Sequence, residues 1–480
     1  MKYIHGLLAF LIFSLLLAES AHAIKLETVK KGKKEYYVYV VGKNENVYDI
    51  ASKLDIEADE IKKFNQRATV GLREGDKLFF PATEYKDKFG NDSPQSAPQP
   101  EAEVGGFQLP VDTVPAPPTI SVVVCQPFML DEDPLSNTAV YATDFYRGFL
   151  LGIDSLRNSH RDLQLKITAI DCGDSDYLKK HASELRDADI IIAPENINRL
   201  TELGNFGREN GTYVFNPFQT RDSTYTVNPF MLQGNIPANE MYGKAVDAFV
   251  EELGGAVPVI LDNEKSKRDK TAFIEPLIRK LEKEGIEYKV VNFDGVLTVQ
   301  QLMTALQDIT QDYLFVPTSG SLADFQKFAS ALSNYKLAII DEMPDNRAAS
   351  RLFGFPEYTR FTGEAYDKLK SINTIIYSRF FNDAQSAETK QLNGSFAARY
   401  GTSLPEGVPN QALYGFDLAK WLMLTADNNS PLEKAIEETY VNDGAQMQYK
   451  FTAVPDGGFV NNRLLLITFS NYSAPRVRIL

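Results

Sequence analysis

The chain is poor in the residues that most often carry redox, metal or nucleophilic chemistry. Among 480 residues there are two cysteines, four histidines and one tryptophan. His5 and His22 stand in the first 23 residues, so beyond them only His160, His181, Cys125 and Cys172 remain as soft ligands. Their spacing fits no zinc pattern, and the two histidines read as surface helix or loop residues. No G-x-S-x-G elbow, H-E-x-x-H pair or local Cys–His signature occurs, so the sequence offers no sign of a serine, zinc or thiol hydrolase. Past the first residues no segment reaches about 18 apolar residues, the length a spanning helix needs. Positive charge is in deficit: Lys+Arg 50 against Asp+Glu 64 leaves a net charge of −14. Such a chain repels nucleic-acid phosphates and gains nothing from anionic lipid surfaces. What remains, 44% hydrophobic and 24% charged residues, is a globular composition.

The first 23 residues read MKYIHGLLAFLIFSLLLAESAHA. Lys2 gives a positive start, residues 7–18 a short apolar core, and Ala21-His22-Ala23 a small-x-small cleavage site. This predicts a secretory signal peptide over 1–23, the alternative being an uncleaved N-terminal anchor. No cysteine follows the apolar core, which excludes lipid attachment by that route. The mature chain is expected to be exported, periplasmic and without a transmembrane segment.

Seven prolines fall between Asn91 and Pro118, among Ser, Gln, Gly and Glu. That composition cannot bury a core and favours coil or polyproline II, so 83–118 reads as a linker. It separates a small unit at 34–82 from a large one at 119–480.

In the small unit Tyr36-Tyr37-Val38-Tyr39-Val40-Val41 is rich in strand formers. Val47, Ile50, Ala51 and Leu54 then recur at helical spacing, and Ile61 and Phe64 mark a second short helix. Lys77-Leu78-Phe79-Phe80-Pro81 closes the unit as a strand, giving the order βααβ. The segments YYVYVVGKNENVYDIA, ADEIKKFN and GLREGDKLFFP resemble, in order, a LysM module, a peptidoglycan- and chitin-binding domain. The resemblance implies a partner, N-acetylglucosamine-containing peptidoglycan, held in a shallow groove. One side would be formed by Asn44, Glu45, Asn46 and Val47, the other by Asn65, Gly71 and Leu72. Asn44 and Asn46 stand where the family usually has Gly and Thr.

From Thr119 onward strand-like runs alternate with helical stripes, the pattern of parallel α/β sheets. Strands are expected at 120–124, 165–170, 188–193, 212–215, 257–261, 288–293, 313–316 and 337–340. Cys125 and Cys172 each end one of the first two. Neighbouring strands lie about 5 Å apart, so the two cysteines could form a disulfide or stay as buried thiols. On the chain-entropy view a bridge would add about 3–4 kcal/mol.

Asp144-Phe145-Tyr146-Arg147-Gly148, residues 188–194, 214–218, 230–241 and 375–381, and Tyr414-Gly415-Phe416-Asp417-Leu418-Ala419 resemble, in order, the type I periplasmic binding proteins. These are the bilobed solute-binding family of amino-acid ABC transporters. The resemblance implies two parallel α/β lobes, the first at about 119–233 and 366–480, the second at about 234–365. It also implies closure about a ligand in the crevice beyond the strand ends. Crevice candidates are Glu195 and Asn196, then Phe218, Gln219 and Thr220, faced from the second lobe by Thr318, Ser319 and Asp341. Glu195 would repel a carboxylate, which argues against a plain α-amino acid; an unknown small polar or cationic ligand, such as an amine, a sugar or a muropeptide fragment, is expected. No cofactor or metal and no catalysis is expected. The alternative is a scaffold or regulator of wall synthesis whose bilobed unit contacts a cell-wall protein.

Overall fold

The computed structural model describes residues 26–31, 34–42, 45, 47–54, 56–65, 72, 75–89, 119–132, 134–157, 164–342, 350–428 and 430–480. The expected signal peptide, His160 and most of the proline-rich segment lie outside them. The chain divides into two compact units, Met1–Val111 and Asp112–Leu480.

In the first unit β1 (Glu27–Lys31), β2 (Lys34–Val40) and β3 (Lys77–Pro81) form an antiparallel sheet in the order β1-β2-β3. Helices Val47–Leu54 and Ala58–Phe64 lie between β2 and β3, which gives the expected β-α-α-β order. Their apolar stripes bury Ile50, Leu54 and Ile61 against Leu78 and Phe80 of β3. A third helix, Ala82–Phe89, follows β3 directly. Its Tyr85 and Phe89 are one turn apart, so both point into the core, stacking on each other at 5.8 Å and meeting Phe80 edge-on. The boundary at 83 is therefore corrected: the packed unit continues through Phe89 because this aromatic pair closes its core. It also begins earlier, with β1.

The second unit has two sheets. The first contains β4 (Thr119–Gln126), β5 (Gln164–Asp171), β6 (Ile190–Ile192), β7 (Tyr213–Asn216), β8 (Met231–Gln233), β14 (Tyr440–Val441), β15 (Tyr449–Ala453) and β16 (Phe459–Asn461). Its order is β14-β15-β16-β8-β7-β6-β4-β5, and from β16 to β5 every pairing is parallel. The second contains β9 (Val257–Asn263), β10 (Lys289–Phe293), β11 (Tyr313–Pro317), β12 (Ser350–Gly354), β13 (Thr374–Ser378), β17 (Leu465–Ser470) and β18 (Ser473–Ile479). Its order is β10-β9-β11-β12-β13-β17-β18, parallel as far as β13. The sheets are buried on both faces, as the runs Ile190-Ile191-Ile192 and Leu314-Phe315-Val316 require.

Two expectations are corrected. Residues 337–340 are not a strand but part of the helix Leu322–Glu342. The helix is committed to the core earlier, by a helical stripe of Phe325, Phe328, Leu332 and Tyr335, all buried, and it runs on through this segment. The second lobe also claims more of the chain than 234–365. β13 pairs with β12, and β17 and β18 add antiparallel to β13. The lobes are thus joined by three crossings, at 234–237, 379–386 and 462–464.

The segments that carried the family resemblance do a packing job in the first lobe. Helices Asn137–Arg157 and Gln411–Ala426 meet at glycines. A Cβ on Gly148 would stand 1.8 Å from the Ala412 carbonyl oxygen, and one on Gly415 2.0 Å from that of Phe145. Only glycine lets the two backbones approach this closely.

Candidate functional site

In a parallel sheet each following helix begins at the carboxyl edge of the strands, so helix N-termini and strand ends converge. At that edge of the first lobe is a cavity of about 230 Å³, lined among others by Gln126, Met129, Tyr141, Glu195, Arg199, Phe218 and Gln411. Glu195 is exposed at its rim. Asn196 caps the helix Ile197–Asn210, its side chain accepting from the Asn198 and Arg199 amides at 3.0 and 3.1 Å. Phe218 meets Phe145 and Tyr414 edge-on, each at 5.4 Å. Gln219 ties two strand-end loops together by donating to the Glu195 carbonyl at 2.5 Å. Thr220 offers its carbonyl to the Ala238 amide, where the first crossing enters the second lobe.

The structure therefore gathers Glu195, Asn196 and Phe218 at one cavity, with Gln219 bracing it. Reading strand ends alone missed Arg199 and Tyr141. Arg199 pairs with Glu202 at 2.9 Å and covers the Tyr177 ring at 4.9 Å. Leu130 and Tyr141, 78% and 57% exposed, give the same edge an apolar margin.

Thr318 and Ser319 belong to a separate arrangement in the second lobe. Thr318 donates to Asp262 at 3.1 Å, and Arg268 grips the same carboxylate with two bonds, at 2.9 and 2.6 Å. Ser319 donates to Asp324 at 2.7 Å, as do Ser321 and Lys327 at 2.8 Å each, and Ser266 completes the set. Burial alone would raise the Asp324 carboxyl, but these donors outweigh it and hold the group well below the usual carboxylate range. A cavity of about 250 Å³ lies beside Asp262, Arg268, Ile274, Ile278 and Thr318. Each of these two cavities is lined by one lobe alone, so the structure does not bring Thr318 and Ser319 into one pocket with Phe218–Thr220. Asp341 falls in the last turn of the helix Leu322–Glu342. That helix returns antiparallel to the strands, so its end lies at their amino edge, away from the crevice; the strand-end placement of Asp341 is corrected.

The crossings are laced to one another. Asn461 donates to the Gly234 carbonyl at 2.9 Å, Lys244 to that of Asn462 at 2.7 Å, and Arg379 Nε to that of Ile236 at 3.0 Å. Asn235 donates to the Pro217 carbonyl at 2.5 Å and the Tyr414 hydroxyl at 2.9 Å, tying the first crossing to the first lobe.

In the small unit Asn44, Asn46 and Gly71 lie outside the described residues. Glu45 is held by the Tyr39 hydroxyl at 2.9 Å, the Gly42 amide at 2.7 Å and Lys53, and these contacts keep its carboxyl below the ordinary value, Lys53 most of all. Val47 is a core residue. Asn65 is a strut: its amide donates to the Ile61 and Phe79 carbonyls at 3.0 and 3.2 Å and accepts from the Phe79 amide at 2.7 Å. Leu72 packs half-buried against the core.

Cys125 and Cys172 are unbonded buried thiols, so of the two expectations the bridge is the one not realised. A hydrogen bond between the pair, followed by burial, pushes the Cys125 thiol well above its ordinary pKa. Among the described residues no helix is long and apolar enough to cross a membrane, and no cluster of His, Cys, Asp and Glu could hold a metal ion.

No protein-family model matches the chain, and no curated protein matches it. Solved structures similar to it include a protein described as a branched-chain amino acid ABC transporter from Rhodospirillum rubrum, at 13% identity and a TM-score of 0.49, covering 75% of this chain and 99% of that one. Another is an ABC transporter substrate-binding protein from Desulfitobacterium hafniense, at 13% identity and a TM-score of 0.41, with coverage of 75% and 100%. A third is the branched-chain amino acid substrate-binding protein LivJ from Streptococcus pneumoniae in complex with isoleucine, at 16% identity and a TM-score of 0.37, with coverage of 75% and 100%.

Proposed function

We propose that this chain is an exported, non-catalytic receptor of the periplasm. Its bilobed unit, of the type I periplasmic-binding-protein kind, would close on a small ligand, and its first unit, a LysM-like module, would hold it to peptidoglycan. The observation that carries the receptor reading is the pair of parallel sheets joined by three laced crossings, with a cavity at the strand carboxyl ends of the first lobe. Crossings of this kind let two rigid lobes rotate about a few residues, and ligands of such sheets sit where the strand ends face each other. The β-α-α-β order of the first unit supports the glycan reading, in which Glu45 and Asn65, engaged internally, would shape the groove and not grip the sugar through their side chains.

A second reading, a scaffold that contacts a cell-wall synthase, draws on the exposed Leu130 and Tyr141 at the edge that carries the first-lobe cavity. Mass spectrometry of small molecules retained on native purification, together with pelleting on peptidoglycan sacculi, tests both. A retained ligand and sacculus binding are expected. An empty crevice alongside a captured synthase would replace the receptor reading with the scaffold.

A further inference from the structure

Arg379 is the first residue after β13, where the chain leaves the second lobe for the first. Arg147, Arg199, Arg268, Arg351, Arg399 and Arg478 each face a carboxylate. Among the described residues no carboxylate forms a salt bridge with Arg379, and the titratable groups whose charge bears on it are Tyr242, Tyr377 and Tyr414. Its Nε donates to the Ile236 carbonyl at 3.0 Å, while its Nη2 is closed off from solvent with no hydrogen-bond partner. Burial pulls the guanidinium below its ordinary pKa, as expected of a cation with no counter-ion. One residue before Ile236, the Asn235 Oδ1 is buried without a donor.

A half-buried charge without a counter-ion costs stability to the fold that contains it, and an apolar side chain of similar volume would serve packing better. This one stands at the junction of two crossings, between the strand ends of the two lobes, where a ligand of the closed receptor would rest. We infer that Arg379 receives a carboxylate of the ligand, and that Asn235 accepts an N–H from the same molecule. A carboxylate close to an amide N–H describes an N-acylated amino acid or the carboxy terminus of a short peptide. Glu195 is not set against that carboxylate: it lines the first-lobe cavity, while the acid end of the ligand would lie at the crossings, outside that lining. Opening about the crossings would hydrate the guanidinium, and closure would bury it again on the anion.

The inference rests on the receptor reading, and one titration separates their fates. Full-length protein is titrated calorimetrically with N-acetyl-alanyl-alanine and with its carboxamide. The acid is expected to bind about 30-fold more tightly than the amide, as a charge-assisted pair to a buried guanidinium requires. R379M should abolish that preference and R379K retain part of it, while the R379M melting temperature stays level or rises. Equal affinity for acid and amide in the unaltered protein, or a preference that survives R379M, overturns the inference. Should the protein take up neither probe yet retain a neutral or cationic molecule on purification, the inference falls and the receptor stands. If it binds no small molecule at all, both fall.

Discussion

The carbonyl oxygen of Ala412 lies 1.8 Å from where a Cβ on Gly148 would stand. This contact sets the spacing of the two long helices, and their first turns carry Tyr141 and Gln411 to the first-lobe cavity. The helix N-termini and the cavity therefore share one packing constraint.

Gly148→Ala should destabilise the bilobed unit by about 3 kcal/mol, since the added methyl meets backbone that cannot move like a side chain. Gly394→Ala, where a Cβ meets nothing within 4 Å, should be neutral or slightly stabilising. Thermal unfolding of the two variants checks this. Equal melting temperatures would mean that the helices slide apart without cost.

Asp417 gives a pH dependence. Its carboxylate is fully buried, with the Ala445, Gln446 and Met447 amides donating to it at 2.5, 2.8 and 2.9 Å. Burial outweighs those donors and raises its pKa to about 7. In the unfolded chain the group titrates near ~3.9, so between these values the folded state binds the extra proton. Its contribution to stability is full below pH ~4, falls as pH rises towards 7 and is gone above it. Moving from pH 8 to 6 should stabilise the bilobed unit by about 1 kcal/mol through this group, and Asp417→Asn should flatten that slope. Denaturant unfolding at both pH values is the measurement, and a slope unchanged in the variant would move the effect elsewhere.

The sequence made the alternation of strands and helices legible because the fully buried strands are short runs of Ile, Val and Phe between helical stripes. It did not show which sheet a strand joins. β13 and β17 look alike in composition to strands of the first lobe, and only their pairing places them in the second. The run Leu337–Ile340 has strand chemistry but continues a helix that Phe325, Phe328 and Leu332 have already committed to the core. Glu195 and Phe218 were legible as strand-end residues. Arg379 was not, because its significance is the counter-charge it lacks, which depends on the surrounding fold.

The cysteine pair can be tested by alkylation. With its pKa raised, the Cys125 thiol is nearly all protonated at neutral pH, and both sulfurs are buried. Iodoacetamide should leave the native protein unlabelled and add to both cysteines in guanidinium. Rapid native labelling would contradict the burial. A species lighter by two hydrogens that stays unlabelled in denaturant would show that the bridge forms after all.

Asn65 separates fold from recognition in the first unit. Its side chain holds the end of the helix Ala58–Phe64 to β3 through three hydrogen bonds. Asn65→Ala removes all three, a loss of about 2 kcal/mol. A small unit has little stability to lose, so its melting transition should drop well below that of the bilobed unit. If Asn65 acts only as a strut, the variant should still pellet with sacculi at temperatures where the unit is folded, and release them as it melts. Loss of pelleting while the unit is still folded would give Asn65 a direct place on the glycan. The two outcomes are distinguished by measuring pelleting on both sides of the transition, with circular dichroism reporting the fold at each temperature.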